Sequence, residues 1–214
     1  MTRFKVLRSA QGLALEDRFS RQKPLLIDFE HPDFVRRLKK AGKKSELVVQ
    51  AVRPEPGLKV VDCTAGLGTD AFILAWLGCE VQLIERSPVL HALLQDAIDR
   101  ARVGDVVCRA AGRLHLVQGD AMDLLQSDGA HYEAAYLDPM FPEKSGSAMV
   151  KGGMQMLQRF LGADEDAQKL LVCAMESGVG RTVLKRPPRS DWEPPRKPDH
   201  VFRRRNAHLE VYRS

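Results

Sequence analysis

Short apolar runs and longer amphipathic stretches alternate along the chain from residue 58 onward. Four of the runs are short and rich in aliphatic side chains: LKVVDCT, EVQLIER, LHLVQGD and AAYLDP. Two of the intervening stretches have the pattern of helices: TDAFILAWLG and the segment that Pro88 opens and that ends near Arg102. Such alternation predicts an α/β protein with a parallel sheet and helices on both of its faces.

The C-terminal part continues this pattern and then departs from it. A further strand is predicted at TVLKRP, residues 182–187, after a helix that we expect to hold Asp164, Glu165 and Asp166 in its first turn. The last two runs, HVFRRR and AHLEVYR, have no helix between them and predict a hairpin about Asn206. A mostly parallel seven-stranded sheet that ends in an antiparallel hairpin is the architecture of the Rossmann-like class I methyltransferases.

The first fifty residues follow a different pattern. FKVLRSAQGLALED alternates about Gln11–Gly12, which predicts a hairpin, and PLLIDF predicts another short strand. A basic stretch comes next, and Ser45 is predicted to cap a helix that runs to Val52. We therefore divide the chain into a small N-terminal β segment, 1–44, and a larger domain, 45–214.

The net charge of +5 at pH 7 is distributed unevenly over the 214 residues. Residues 1–50 carry twelve Lys and Arg against six Asp and Glu, and residues 181–214 carry ten against four. Residues 51–180 carry eleven against eighteen, so an acidic middle lies between two basic ends. This distribution indicates a polyanion bound by the two ends, and a solvated basic surface explains the excess charge equally well.

Composition favours a globular protein of the cytoplasm. Hydrophobic residues make up 44% of the chain and charged residues 29%, and the longest apolar stretch, around Ala71–Leu77, is far too short for a membrane span. The opening MTRFKVLRSAQG lacks the apolar core of a signal peptide. The cysteines lie far apart, with no zinc-ligand spacing, so we expect reduced, mostly buried thiols and no metal: Cys63, Cys79, Cys108 and Cys173.

A glycine-rich turn marks the first candidate site. In VVDCTAGLGTDAF, Asp62 ends a strand, and Gly66 and Gly68 lie in the turn before a helix, where doubly wound sheets bind nucleotides. The turn also fits the relaxed dinucleotide fingerprint. Glu85, at the end of the next strand, suits a ribose hydroxyl in either an NAD site or an S-adenosylmethionine (SAM) site. The Lys of a Walker A loop is missing from this sequence.

Two acids favour SAM over NAD. Asp62 suits the ammonium group and the cationic sulfonium of SAM better than it suits a pyrophosphate. Asp120, in the tripeptide Gly119-Asp120-Ala121 after the third strand, lies where adenine would bind in a methyltransferase. We therefore predict SAM as the cofactor.

The second candidate site follows the fourth strand. YLDPMFP, residues 136–142, places Asp138 at the end of a buried strand, which we expect beside the first strand and facing the cofactor. The loop resembles the [DNS]-P-P-[FYW] loop of amino-methyltransferases, with Met140 in place of the second proline. An exocyclic amino nitrogen is a poor nucleophile until its N–H bonds are held by acceptors. Asp138 and the Pro139 carbonyl would accept hydrogen bonds from these two N–H groups, and Phe141 would stack on the base.

These segments together resemble one family. VVDCTAGLGTDAF, EVQLIERSPV, YLDPMFPEKSGSAMVKGGMQ and TVLKRP are similar to segments of the bacterial 16S rRNA guanine-N2 methyltransferases, the RsmJ family, and the similarity covers most of the chain. The resemblance implies SAM-dependent methylation of a guanosine amino group in small-subunit rRNA. Besides Asp62, Gly66 and Gly68, the cofactor contacts that it implies by position are Thr69, Asp70, Glu85, Arg86, Asp120, Ala121 and Asp138.

Under this interpretation the basic ends contact RNA. The side chains predicted to hold phosphates are Arg36, Arg37, Lys39, Lys40, Lys43, Lys44, Lys144, Lys151, Lys185, Arg186 and residues 203–205. Segment 1–44 would dock the substrate, and 45–214 would be the SAM-dependent methyltransferase domain. The partner would be 16S rRNA or the small ribosomal subunit, with the target base turned out of its stack.

Three alternatives stay open on the residues alone. The pattern DPxF does not itself select the amine, so a DNA adenine or a protein glutamine would suit the same loop. An NAD-dependent oxidoreductase would use the same glycine turn and would have no role for Asp138. A non-enzymatic RNA-binding module with a relic cofactor site would bind RNA and transfer no methyl group.

Overall fold

The computed structural model describes residues 2–141, 152–188, 192–205 and 207–214. The strands in these ranges are β1 Phe4–Ser9, β2 Gly12–Asp17, β3 Leu25–Leu26, β4 Lys59–Asp62, β5 Glu80–Glu85, β6 Leu114–Gln118, β7 Ala134–Leu137, β8 Arg181–Arg186, β9 His200–Arg203 and β10 His208–Arg213. The helices are α1 Pro32–Lys39, α2 Leu47–Val52, α3 Thr69–Trp76, α4 Pro88–Arg102, α5 Cys108–Ala111, α6 Ala121–Asp128, α7 Gly152–Leu161 and α8 Ala167–Glu176. A short 3-10 helix, Gly129–His131, precedes β7.

Seven strands form one sheet in the order β6-β5-β4-β7-β8-β10-β9, and β1, β2 and β3 form a separate antiparallel sheet. The pairs from β6 to β8 are parallel, whereas β10 runs antiparallel to both β8 and β9. The predicted Rossmann-like sheet with its terminal hairpin is confirmed, and so is the small N-terminal β segment. The predicted turn at Asn206 lies outside the described residues.

The central strands are buried because each supplies side chains to two cores, one on each face of the sheet. Val60 of β4 and Tyr136 of β7 belong to the core covered by α3 and α4, whereas Val61 and Leu137 belong to the core covered by α6 and α8. All four side chains are at most 1% exposed. A continuous apolar run is the sequence pattern that burial on both faces requires.

Helix α4 shows how local sequence sets an element boundary. The Ser87 side chain accepts a hydrogen bond from the Leu90 amide (3.3 Å), and Pro88 occupies the first turn, where a missing amide costs nothing. The buried positions recur with helical spacing: Leu90, Leu93, Leu94, Ala97, Ile98 and Ala101. The predicted bounds of this helix are confirmed.

The N-terminal sheet packs directly on α4. The Leu13 amide donates to Asp96 Oδ2 (3.0 Å), and Arg100 Nη2 donates to the Ile27 carbonyl (2.6 Å). Gly12 has a φ of +121°, and an added Cβ would lie 2.5 Å from Arg100 Nε, so only glycine allows this approach. Because Ile27 belongs to the core that α3 and α4 cover, the segment and the larger sheet share one core.

One predicted helix boundary is wrong. Helix α2 begins at Leu47, and Glu46 occupies its N-cap position without a capping hydrogen bond from its side chain. The Ser45 hydroxyl donates to the Lys40 carbonyl (2.8 Å) and accepts from the Gly42 amide (2.9 Å). Ser45 therefore closes the turn before the helix instead of capping it.

The predicted acidic first turn of α8 is also wrong. The helix begins at Ala167, with Asp166 as its N-cap residue, and its first turn holds no acid. Asp164 and Asp166 both pair with Arg86, the residue after β5. These aspartates connect α8 to β5, and α8 begins at Ala167, one residue after Asp166 and three after Asp164.

The cysteines occur as free thiols in different environments. Cys63 and Cys79 are buried, Cys173 is half-buried and Cys108 is exposed at the start of α5, so the prediction of mostly buried thiols is wrong for Cys108. In the part of the chain that the structure describes, no group of three or more His, Cys, Asp or Glu side chains is arranged to hold a metal ion. None of the described helices combines the length and apolar character needed to cross a bilayer.

Candidate active site

The carboxyl ends of β4, β5, β6 and β7 border one cleft that opens to solvent. The ends meet at one edge because the strands are parallel, and the chain order reverses between β4 and β7, where doubly wound sheets bind ligands. Several of the predicted site residues line this cleft: Gly66, Glu85, Arg86, Asp120, Ala121, Asp138 and Pro139. The fold thus brings together the glycine turn, two strand-end acids and the start of the DPMF loop.

The glycine turn after β4 has the backbone conformation that its sequence predicts. Gly66 has a φ of +55° and Gly68 a φ of +69°, both in the left-handed region that favours glycine. At Gly68 an added Cβ would lie 2.8 Å from Leu94 Cδ1 and 3.2 Å from Phe29 Cζ. Gly68 therefore also permits the close packing of α3 against α4.

Glu85 lies in the floor of the cleft with both carboxylate oxygens hydrogen-bonded to backbone amides. Oε2 accepts from the Gly66 amide (3.1 Å), and Oε1 accepts from the Ser87 amide (2.8 Å). Burial raises the pKa of Glu85, and these two amides oppose the rise because they stabilise the charged form. Each oxygen keeps a second lone pair, so the carboxylate can accept hydrogen bonds from ribose hydroxyls.

The remaining walls suit the other parts of a nucleoside cofactor. Asp120 is the N-cap residue of α6 and accepts from the Met122 amide (2.9 Å). Apolar side chains line the wall on either side: Ile84, Met122, Leu161 and Leu170. A carboxylate for ribose, apolar surfaces for adenine and a glycine backbone that permits close approach are the groups that SAM needs, so the residues present fit this cofactor.

Arg86 spans part of the cleft as a member of an ion-pair cluster. Its guanidinium pairs with Asp164 and, at 2.9 Å from Nη1, with Oδ2 of Asp166, and all three residues line the cleft. The predicted contact of Arg86 with the cofactor would therefore be made by a side chain that two carboxylates already hold in place.

Four predicted cofactor residues lie outside the lining of this cleft. Gly68 lies in the turn behind it, and Thr69 begins α3 and faces a second cleft between the glycine turn and the N-terminal segment. Asp62 is 2% exposed and accepts from the Thr64 amide (3.1 Å). Burial raises the pKa of Asp62 to about 8, which favours the neutral form of this carboxyl group. Asp70 points toward β7 and β8 instead.

Strand β7 delivers Asp138 to the mouth of the cleft. The Asp138 amide donates to Thr64 Oγ1 (2.7 Å), which ties the acceptor loop to the glycine turn across two neighbouring strands. Pro139 and Met140 also line the cleft. Phe141, predicted to stack on a base, is half-buried and packs edge-on against Trp192, with ring centroids 5.7 Å apart and an interplanar angle of 62°.

An ion-pair cluster behind Asp138 went unpredicted. Lys185 Nζ lies 2.6 Å from Asp138 Oδ2 and 3.0 Å from Asp70 Oδ2. The Tyr136 hydroxyl donates to the same oxygen of Asp70 (2.5 Å). Lys185, predicted as a phosphate contact, therefore has its ammonium group between two carboxylates.

The register of the sheet explains this cluster. Strand β7 runs parallel to β8 and pairs Leu137 with Leu184, so the next residues along each strand, Asp138 and Lys185, are neighbours at the carboxyl edge. The signal that could have found the pair is the strand order expected for this fold, in which the fourth and fifth strands are adjacent.

The other predicted phosphate contacts fall into separate groups. Exposed side chains on α1 and the turn after it are Arg36, Lys39, Lys40, Lys43 and Lys44. Arg37 makes a bidentate pair with Glu46, with both N–O distances 2.8 Å, and Arg186 Nε lies 2.7 Å from Glu210 Oε1. Lys144 and Lys151 lie outside the described residues.

The two basic ends of the chain meet on the surface. Arg204, just after β9, donates from Nη1 to the Ser45 carbonyl (2.7 Å) and from Nη2 to the Lys44 carbonyl (2.8 Å). This contact places residues 203–205 beside the basic turn that follows α1.

The fold and the cleft define a class I SAM-dependent methyltransferase. Over residues 2–214 the chain matches the family model described as "Putative SAM-dependent methyltransferase". Proteins named Ribosomal RNA small subunit methyltransferase J from Stutzerimonas stutzeri and Dechloromonas aromatica are each 39% identical to it over 192 residues, which is 88% of this chain and 74% and 78% of theirs. The chain therefore belongs to the RsmJ family of SAM-dependent methyltransferases, and its cofactor is SAM.

A solved structure supports the same assignment. The crystal structure of a SAM-dependent methyltransferase from Neisseria gonorrhoeae aligns with a TM-score of 0.75 and 25% sequence identity, over 97% of this chain and 81% of that one. The predicted family, fold and cofactor are confirmed, and an NAD-dependent oxidoreductase is excluded as the class of protein.

Proposed function

We propose that this protein transfers the methyl group of SAM to the exocyclic N2 amino group of a guanosine in 16S rRNA, in the cytoplasm. The observation that carries the proposal is the position of Asp138, which directly follows β7 and lines the same cleft as Glu85. The proposal is further supported by the relatives from Stutzerimonas stutzeri and Dechloromonas aromatica, whose names specify small-subunit ribosomal RNA.

The chain's own groups bind and orient the acceptor amine. Bound SAM supplies an electrophilic methyl group. Asp138 and the Pro139 carbonyl accept hydrogen bonds from the two N–H groups of the amine. These hydrogen bonds turn the nitrogen lone pair out of the ring plane and toward the cofactor. Proline limits the motion of the loop, so the acceptors keep their positions. A strong general base is unnecessary because the nitrogen loses a proton readily once it carries the methyl group.

Segment 1–44 and the C-terminal hairpin together dock the RNA in this proposal. The exposed lysines and arginines of α1 and its following turn lie next to residues 203–205, because Arg204 is hydrogen-bonded to the Lys44 and Ser45 carbonyls. A surface of this kind binds phosphates and supplies affinity with little sequence choice. Selection of the base then falls to the cleft, which requires the guanine to leave its stack.

The experiment is methyl transfer from isotopically labelled SAM to unmodified small ribosomal subunits, naked rRNA and DNA, followed by nucleoside analysis. Label in N2-methylguanosine supports the proposal and identifies the form of RNA that is the substrate. Label in N6-methyladenine keeps the amine chemistry and contradicts the proposed target. No label in any nucleoside, with SAM binding intact, contradicts the proposal and directs the search to protein glutamine or to a relic site.

A further inference from the structure

We propose that Lys185 is a positioning residue for the acceptor carboxylate: it keeps Asp138 charged and turned so that one oxygen stays available to the substrate amine. This inference rests on the proposed function, because it assigns the role of Lys185 through Asp138. It replaces the prediction that Lys185 holds an RNA phosphate.

The geometry commits one oxygen of Asp138 and leaves the other accessible. Lys185 Nζ lies 2.6 Å from Oδ2 of Asp138, a distance typical of a strong charge-assisted hydrogen bond. Within the described part of the chain, Oδ1 of Asp138 has no hydrogen-bond partner, and the residue lines the cleft. The backbone of Asp138 is held separately by Thr64. Lys185 therefore fixes one oxygen of the carboxylate, and the side chain that carries the other oxygen is 35% exposed and belongs to a residue that lines the cleft.

The ammonium group of Lys185 is itself held from behind. Its second contact is Oδ2 of Asp70 (3.0 Å), and that oxygen also accepts from the Tyr136 hydroxyl (2.5 Å). Arg37 Nη2 lies 3.8 Å from the other oxygen of Asp70. A lysine side chain has several rotatable bonds, and two anionic partners restrict it to one arrangement. A residue that positions Asp138 needs a side chain fixed in this way, whereas a lysine that contacts RNA phosphates can remain mobile.

Electrostatics favour a role for Lys185 in keeping Asp138 charged. The ionisable groups that face Asp138 come from four elements and one loop: Asp62 of β4, Asp70 of α3, Tyr136 of β7, Lys185 of β8 and Asp164 in the loop before α8. Among the described residues, Lys185 is the only cation within 4.0 Å of the Asp138 carboxylate. Partial burial and the neighbouring acids raise the pKa of Asp138, and Lys185 opposes that rise. Removal of the ammonium leaves the rise unopposed.

The test compares Lys185→Met, Lys185→Arg and Lys44→Met in steady-state methyl transfer to the RNA substrate across pH. Lys185→Met should lower kcat about 100-fold, the scale of loss expected when a reacting group is misplaced. The acidic limb of its profile of kcat against pH should move up by about one pH unit or more. The reason is that an opposite charge at this distance shifts a carboxyl pKa by about 1 to 3 units. Lys185→Arg should restore part of kcat and return the limb toward the wild-type position. The Kd for SAM should change little.

Lys44→Met is the matched control for a phosphate contact, because Lys44 is an exposed lysine of the basic surface. It should raise the KM for RNA and leave kcat and the acidic limb unchanged. If Lys185→Met gives that same result, Lys185 is a phosphate ligand and the inference is overturned. A circular dichroism spectrum and the Kd for SAM report whether the variants are folded.

A second measurement keeps the inference separate from the proposed substrate. Carbon-13 NMR of the Asp138 carboxyl group follows its titration in the wild-type protein and in Lys185→Met, with no RNA present. A raised pKa in the variant supports the inference, and an unchanged titration overturns it. Failure of the wild-type protein to label any rRNA would count against the proposed function alone.

Discussion

Met140 exchanges two hydrogen bonds with Asp164. The Met140 amide donates to Oδ2 of Asp164 (2.7 Å), and the Asp164 amide donates to the Met140 carbonyl (2.9 Å). Oδ1 of Asp164 accepts from Arg86, the residue after Glu85. One aspartate thereby links the acceptor loop to the strand end that carries the ribose carboxylate.

Asp164→Ala should lower kcat about fivefold, because the loop loses a hydrogen bond worth about 1 kcal/mol that fixes Met140. Steady-state kinetics with saturating SAM measure the change. Asp166→Ala is the matched control, since it removes the other carboxylate partner of Arg86 and leaves the Met140 bond intact. The control should lower kcat less. Equal losses in the two variants would show that the pairing of Arg86 matters and the loop contact does not.

Asp138→Ala should reduce methyl transfer by about two to three orders of magnitude, comparable to the loss of a group that stabilises a transition state by hydrogen bonding. The Kd for SAM should rise only modestly, because Glu85 and the glycine turn are unchanged. Kinetics and isothermal titration calorimetry separate the two effects. Asp128→Ala, which changes an exposed aspartate at the end of α6, serves as control. Turnover at the wild-type rate in Asp138→Ala would refute the proposed mechanism.

The central strands and their strand-end acids could be predicted because their signals are local. The runs around Val60 and Leu137 are continuously apolar, which only burial on both faces of a sheet explains. A carboxylate at the C-terminal end of a predicted parallel strand, as at Glu85 and Asp138, must lie at the carboxyl edge, where doubly wound sheets bind ligands. These positions needed no knowledge of distant contacts.

The role of Lys185 could not be predicted in the same way. Its partners Asp138 and Asp70 lie 47 and 115 residues away along the chain, and TVLKRP contains nothing that separates an ammonium facing a carboxylate from one facing solvent. The prediction that Ser45 caps a helix was wrong for a related reason. Two acceptors and a donor in the preceding turn form hydrogen bonds with its hydroxyl group. Contacts of this kind depend on which elements the fold brings together.

Glu85→Ala should act mainly on the affinity for SAM. The variant removes the ribose acceptor and the anchor of the Gly66 and Ser87 amides, so the Kd should rise by about tenfold to a hundredfold, the cost of losing a hydrogen bond to a charged group. Calorimetric titration with SAM measures it. Glu80→Ala, at the other end of the same strand, is the control and should bind SAM as the wild-type protein does. A normal Kd in Glu85→Ala would remove Glu85 from the cofactor site.

The free energy of unfolding should depend on pH through Asp62. Burial raises the folded-state pKa to about 8 from an ordinary value of 3.8, so between these values the folded state holds a proton that the unfolded state has lost. Stability from this group is therefore lost as pH rises through that window. Asp62→Asn keeps an acceptor for the Thr64 amide and does not titrate, so its stability should fall less than that of the wild-type protein from about pH 5 to about pH 8.

Urea denaturation without cofactor at several pH values tests this expectation. Asp105→Asn, which changes an exposed aspartate, is the control and should follow the wild-type profile. Parallel profiles for the wild-type protein and Asp62→Asn would mean that Asp62 is ionised in the folded state.

RNA affinity should depend on salt through the basic surface formed by α1, the turn after it and residues 203–205. Each phosphate contact that is lost should reduce the slope of log K against log salt by about 0.7 to 0.9, because fewer counterions are released on binding. The double variant Lys43→Ala with Lys44→Ala should therefore bind RNA more weakly and with a shallower slope, as filter binding over a series of salt concentrations would measure. Lys169→Ala, an exposed lysine on α8, is the control. A slope unchanged in the double variant would place the RNA on another face.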